Sequence, residues 1–196
     1  MSDNISTVKS ILEESINCKK SALGDNEFIQ SISTAADRIK QMITDGGTLY
    51  ICGNGGSTCD AMHFVEELVA RYKRDRPGIK AMHFMDPSTL TCWSNDVGFN
   101  SAFARQADTF CSSRDVFIGI STSGNSNNIL EAIKAASKKG SYTIGLLGKG
   151  GGKIKEAADL SIVVPQTVTA TERIQEIHIT VIHSLCELIE RWMLKL

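Results

Sequence analysis

The chain has 196 residues, enough for one α/β domain with a substantial core and little room for a second. Hydrophobic residues make up 42%, charged residues 22% and aromatics 6%, values that exclude a disordered or fibrous chain. The net charge of -1 excludes a global field drawing the protein onto nucleic acid or an anionic membrane.

The first residues, Met1-Ser2-Asp3-Asn4, lack the charged-then-apolar pattern of a signal peptide, and no apolar run reaches transmembrane length. Two amphipathic helices follow within residues 1–45. Val8, Ile11, Leu12 and Ile16 mark the apolar stripe of one, and Phe28, Ile32, Ala35, Ile39 and Met42 that of the other. Asp45-Gly46-Gly47 stops the second. Neither carries recognisable chemistry, and their stripes suit either their own domain or another subunit.

Short apolar runs then alternate with helical patterns, as the strands of a parallel sheet do. The runs are Thr48–Cys52, Ile79–Phe84, Val116–Ile120, Tyr142–Leu147 and Leu160–Val164. Helices are expected near Ser57–Tyr72, Asn100–Phe110 and Ser126–Ser137, and a long last helix over Thr171–Met193, opened by a capping box of Thr169 and Glu172. The basic run Arg71-Tyr72-Lys73-Arg74-Asp75-Arg76 reads as a solvated helix end. Without repeats or linkers, residues 1–196 form a single domain whose sheet is five-stranded, parallel and doubly wound. The six cysteines include no C-x-x-C pair and read as reduced thiols, which places the protein in the cytoplasm.

Ligands of such sheets bind beyond the carboxyl ends of the strands, near the topological switch point. Two loops there are unusual: Gly53-Asn54-Gly55-Gly56-Ser57 after the first strand and Ser121-Thr122-Ser123-Gly124-Asn125-Ser126 after the third. Each leads into a helix, whose free amides and dipole favour an anion, while glycines allow close approach and hydroxyls add hydrogen bonds. Tight turns with good N-caps would look similar, but two at equivalent strand ends point to a phosphate. Nucleotide motifs do not fit. The first loop lacks the third glycine of G-x-G-x-x-G, and Gly148-Lys149 is followed by Gly150 where a P-loop needs Ser or Thr.

His63 and Glu67 stand at i and i+4 on one helix face, compatible with a metal site or acid/base work and common on helix surfaces without either. Asp60 and Arg71 share that side. On the last helix Ile174, Ile177, Val181, Leu185, Leu188 and Trp192 form the core stripe, with His178 as a hydrogen-bonded core histidine. His183 and Glu176 face away from it, as at a subunit contact. His83 reads as structural.

These residues resemble the phosphoheptose isomerases, or sedoheptulose 7-phosphate isomerases, of the sugar isomerase (SIS) domain superfamily. The matching segments are Cys52–Ser57, Asp60–Leu68, Asn95–Asn100, Gly119–Ser126 and Arg173–His178 with His183, in order across about 145 residues. The resemblance implies a flavodoxin-like sheet and conversion of D-sedoheptulose 7-phosphate to D-glycero-D-manno-heptose 7-phosphate, the first step toward the ADP-heptose of lipopolysaccharide. It implies that Ser121, Thr122, Ser123 and Ser126 bind phosphate and that Asn54, Gly55, Gly56, Ser57, Asn95, Asp96 and Gln175 line the sugar. His63, Glu67, Gln175 and His183 match the family's Zn²⁺ ligands, one ion per subunit, and Glu67 and His183 its acid/base pair. A homotetramer with composite sites is implied too. Gln175 and His183 lie eight residues apart, about 12 Å along a helix and nearly 80° around it. One ion hardly takes both from one regular helix, so a ligand from a second subunit is expected. The rival readings are a non-catalytic SIS sugar-phosphate sensor, a relative that binds the replication initiator, and an isomerase of another sugar phosphate.

Overall fold

The computed structural model describes residues 2–196. Helix α1 spans Ser2–Leu23 and α2 Asn26–Thr44, where the Asp25 carboxylate accepts the Phe28 amide at 3.0 Å as N-cap. The two stripes meet different fates. Phe28, Ala35, Ile39 and Met42 are buried, whereas Val8, Ile11, Leu12 and Ile16 lie exposed.

Strands β1 (Leu49–Gly53), β2 (Ala81–His83), β3 (Val116–Ser121), β4 (Tyr142–Leu147) and β5 (Leu160–Val163) form one parallel sheet of order β2-β1-β3-β4-β5. That order is flavodoxin-like, with its switch point between β1 and β3. Between the strands run α3 (Gly56–Val69), α4 (Pro87–Asp96), a short 3-10 turn (Phe99–Ser101), α5 (Ala102–Phe110), α6 (Asn127–Lys138) and α7 (Gly152–Ala157), and α8 (Thr171–Met193) closes the chain. Because strand side chains alternate, Leu49 and Ile51 join Ile118, Ile144 and the cores of α2, α3 and α8, while Tyr50 and Cys52 face Phe117 and the cores of α5 and α6. Burial on both faces explains why the strands read as unbroken apolar runs.

Several local expectations change. The second strand is shorter than Ile79–Phe84, because the Ile79 amide bonds the Leu68 carbonyl at the end of α3 instead of a neighbouring strand. Helix α3 ends at Val69, not Tyr72, and the basic run is therefore a loop. Helix α4 has no buried residue, so no apolar stripe announces it; Asp86 caps it by accepting the Thr89 amide and hydroxyl, both at 2.7 Å. At the start of α8 the N-cap is Ala170, without a side-chain cap, so the Thr169–Glu172 capping box is absent: the helix begins one residue later than that motif needs. All six cysteines are free thiols, and no helix among the described residues is long and apolar enough to cross a membrane.

Candidate functional site

The two loops leave neighbouring strands at the switch point and each is held by glycines that admit no side chain. A Cβ on Gly53 would lie 2.4 Å from the Ser57 carbonyl oxygen, and Gly55, the N-cap of α3, has φ +55°. Gly124 has φ +66°, and a Cβ there would meet the Gly151 carbonyl oxygen at 2.1 Å. The glycine-rich turn after β4 thus backs the serine turn.

Within that turn Ser121 is buried, and its Oγ lies 3.1 Å from Ser126 Oγ and 3.4 Å from Ser123 Oγ while accepting the Gly124 amide at 3.1 Å. Ser123 Oγ accepts the Asn125 amide at 3.2 Å. Ser126 is the N-cap of α6 but makes no side-chain capping bond. Its hydroxyl and the amides of Asn127 and Asn128 therefore stay available to an anion, the Ile129 amide being taken by Asn128 Oδ1, with the half-buried Thr122 beside them. Three converging hydroxyls suit a phosphate, since each can turn its proton outward.

Asn54 and Asn128 join the loops through reciprocal amide bonds, both 2.8 Å, and Asn128 is nearly inaccessible. The Asn54 side chain, expected on the sugar, is engaged here by its neighbour. Nothing in the sequence singles Asn128 out beyond its place in the first turn of α6. Asn95 and Asp96 end α4, exposed and hydrogen-bonded to each other at 2.9 Å; among the described residues neither bonds to either loop.

On α3 and α8, His63, Glu67 and His183 converge. His63 Nε2 lies 3.0 Å from His183 Nε2 and 3.3 Å from Glu67 Oε1, and one ligand atom from each falls within 4.8 Å of the others. Two nitrogens bound to one tetrahedral zinc at 2.0–2.1 Å would sit about 3.3 Å apart, so the spacing of the donors fits such an ion. Two imidazoles and a carboxylate also match its catalytic ligand set, which leaves a fourth position open. The two ring nitrogens facing each other need a proton or a cation between them.

Gln175 stands apart from this trio. Its amide packs on Gly56, where a Cβ would lie 2.2 Å from Nε2, and Gly56 precedes His63 by seven residues, about 10 Å along α3. The structure thus gathers three of the four expected ligands and leaves Gln175 at the start of the helix.

Burial shifts two neighbours. Asp60, one turn before His63, has a buried Oδ2 without a partner, and desolvation pushes its carboxyl up to about 6 against the opposing pull of His63. His178 is wholly buried, and desolvation holds its imidazole down to about 4 against a weaker pull from the Leu147 backbone. Neither ring nitrogen makes a hydrogen bond of good geometry, and the polar group that acts on the ring is the Leu147 backbone. His83 lies in β2 with its Nδ1 likewise buried and unpartnered.

The basic run is not a solvated helix end. The amides of Lys73 and Arg74 and the Arg74 guanidinium all bind the Glu190 carboxylate, at 3.1, 2.9 and 2.8 Å. A buried carboxylate attracts such donors strongly, and Glu190 on α8 is fully enclosed.

Comparison with known proteins places this geometry. The SIS domain family model matches residues 19–148. The chain is 48% identical over 186 residues to the phosphoheptose isomerase of Pectobacterium atrosepticum, covering 95% of this chain and 96% of that one. It is 47% identical over 186 residues to that of Vibrio cholerae, covering 95% and 97%. Among solved structures, a phosphoheptose isomerase from Francisella tularensis superposes with a TM-score of 0.89 at 30% identity over 96% of this chain and 98% of that one. One from Neisseria gonorrhoeae gives 0.87 at 36% identity over 94% and 97%. With its parallel sheet, paired loops and imidazole–carboxylate cluster, the chain is an enzyme of the phosphoheptose isomerase family, built on the SIS domain.

Proposed function

We propose that this enzyme converts D-sedoheptulose 7-phosphate to D-glycero-D-manno-heptose 7-phosphate in the cytoplasm, the first step toward the ADP-heptose of lipopolysaccharide. The observation that carries this reading is the convergence of His63 Nε2, His183 Nε2 and Glu67 Oε1 from two helices of a family whose relatives carry that name. The serine turn, through Ser121, Thr122, Ser123 and Ser126, anchors the phosphate. Asn54, Gly55, Gly56, Ser57, Asn95, Asp96 and Gln175 line the sugar.

A ketose–aldose interconversion moves a proton between C1 and C2 through an enediol. Glu67 takes the carbon-bound proton: Oε1 faces His63, and Oε2 remains for the transfer. Its side chain is only 14% exposed, which limits loss of the proton to solvent. His183 supplies a proton to the carbonyl oxygen from its imidazole. His63, with Glu67, His183 and Gln175, would hold one Zn²⁺ per subunit, and bound zinc supplies electrophilic stabilisation of the developing oxyanion. A group that ligated the ion would lose basicity, so the proton-carrying roles of Glu67 and His183 would require each to be free of it when it moves a proton.

Gln175 reaches the ligand set from a neighbouring subunit of a homotetramer. Its distance from His63 within one chain and the uncovered stripe of α1 support that arrangement.

Turnover of the purified protein on sedoheptulose 7-phosphate, with and without a chelator, tests the reading. Glu67→Gln and His183→Gln are each expected to cut kcat by about 10²–10⁴-fold while the sugar phosphate still binds. Full activity in either variant refutes its role. Undiminished turnover after complete metal removal sinks the zinc assignment and leaves the isomerase standing.

A further inference from the structure

The segment between α3 and β2 is tied to both helices that carry the proposed acid/base pair. Glu190 lies seven residues after His183 and Glu187 four after it, so all three share one face of α8. Glu190 is fully buried and receives the Lys73 and Arg74 amides and the Arg74 guanidinium. Glu187 receives Lys73 Nζ at 3.0 Å. From the other end of the segment, Arg76 donates to the carbonyls of Glu67 at 2.7 Å and Leu68 at 2.9 Å, among the last carbonyls of α3, which have no helical partner of their own. Just ahead of these anchors in the chain the Tyr72 ring stacks on His183, with centroids 6.0 Å apart and planes inclined by 30°.

One short loop therefore touches the ring of His183, the backbone of Glu67 and a buried carboxylate below them. The Arg76 bonds also cap α3, which is stabilising in itself; the contact of Tyr72 with the ring of His183 is what an anchor serving stability alone would not need. Enclosing Glu190 is costly unless its partners are held in place, which gives the loop a fixed position from which to set its neighbours. Groups that orient the ligands of a metal without touching it commonly matter to affinity nearly as much as the ligands do.

We propose that Tyr72–Arg76 is a positioning strap for the acid/base pair: Glu190 fastens it, Tyr72 sets the His183 ring toward His63, and Arg76 fixes the turn of α3 that bears Glu67. This rests on the function proposed above for Glu67 and His183. The strap does not reach the serine turn, so its loss should spare binding of the phosphate.

Three variants test it: Tyr72→Leu, Tyr72→Phe and Arg76→Met. Zinc affinity is measured by competition with a chromophoric chelator, kcat and KM on sedoheptulose 7-phosphate, and the His183 rotamer in crystals of the metal-free protein. Tyr72→Leu and Arg76→Met are expected to weaken zinc binding about 10–100-fold and to lower kcat with KM nearly unchanged. Tyr72→Phe keeps the stacked ring and should behave as the parent. In Tyr72→Leu the His183 ring should leave the position facing His63. Parent-like zinc affinity in folded Tyr72→Leu, with His183 Nε2 still within hydrogen-bond reach of His63 Nε2, overturns the strap, whether or not Arg76→Met folds. A parent protein that binds no zinc defeats the metal assignment instead, and the His183 rotamer in Tyr72→Leu then decides the strap alone.

Discussion

Asn54 and Asn128 exchange two amide hydrogen bonds of 2.8 Å across 74 residues of sequence, clamping the glycine turn after β1 to the first turn of α6. The serine turn is also held from the turn after β4, where the Ile154 amide donates to the Gly124 carbonyl and the Lys153 amide to Asn125 Oδ1. With the clamp in place, the glycine turn and the N-terminal end of α6 share one geometry.

Removing that clamp should separate stability from binding. Asn128→Ala leaves the Asn54 amide without its partner in a half-buried site, a loss of about 1–3 kcal/mol in urea unfolding. Asn128→Asp keeps an acceptor but loses the donor and adds a negative charge behind the serine turn. It is expected to raise KM for the sugar phosphate about tenfold, equivalent to about 1.4 kcal/mol. An Asp variant with parental KM would show that the clamp does not bear on the phosphate.

Gly124 sits where no other residue fits. Its φ of +66° and the 2.1 Å approach of a Cβ to the Gly151 oxygen mean that Gly124→Ala must displace the turn after β4. The expected cost is about 2 kcal/mol or more, with a rise in KM, since the hydroxyls of Ser121, Ser123 and Ser126 lose their common focus. Thermal unfolding and steady-state kinetics measure the two effects.

Glu190 gives a pH-dependent signature. Burial opposes its ionisation, yet the Arg74 and Lys73 amides and the Arg74 guanidinium outweigh burial and hold its carboxyl below the ordinary value of 4.5. A lowered folded-state value means that stability is gained above the unfolded pKa and lost as pH falls through the folded one. Glu190→Gln should therefore cost about 1–3 kcal/mol near neutral pH, and the difference from the parent should shrink below about pH 4.5. A difference that stayed constant into acid would assign the loss to shape rather than charge.

The strands, the glycine and serine turns and the pairing of His63 with Glu67 were legible because each rests on local pattern. A strand buried on both faces is an apolar run, and an i,i+4 pair shares a helix face whatever surrounds it. Helix α4 was not legible, since it buries nothing and its cap, Asp86, resembles any turn aspartate. Asn128 was hidden for the opposite reason: its partner is remote in sequence, and an asparagine in a first helical turn has an ordinary local explanation. The basic run misled because its partners, Glu187 and Glu190, lie more than 110 residues away. His178 was read correctly as core, but its partner, the Leu147 backbone, was not legible, because spacing gives the face of a helix and not the atoms opposite it.

The last prediction concerns the stripe on α1. Ile5, Val8, Ile11, Leu12 and Ile16 are 62%, 55%, 44%, 58% and 53% exposed, yet they fall on one face of a long helix at core-like spacing. A contiguous apolar face of this kind marks an association surface. Burying each such side chain contributes about 1.5–3 kcal/mol, so two charges within the stripe outweigh the contact they replace. The double variant Val8→Glu, Leu12→Glu is therefore expected to dissociate the proposed tetramer, as read by sedimentation, and to leave a folded monomer that unfolds cooperatively below the parental temperature, since the lost interface no longer adds to its stability. If Gln175 reaches the His63–Glu67–His183 cluster from a neighbouring subunit, turnover falls with the assembly and recovers in proportion to reassociation at high protein concentration. A folded monomer with full turnover would make Gln175 dispensable in trans and leave the three converging side chains of one chain as the whole site.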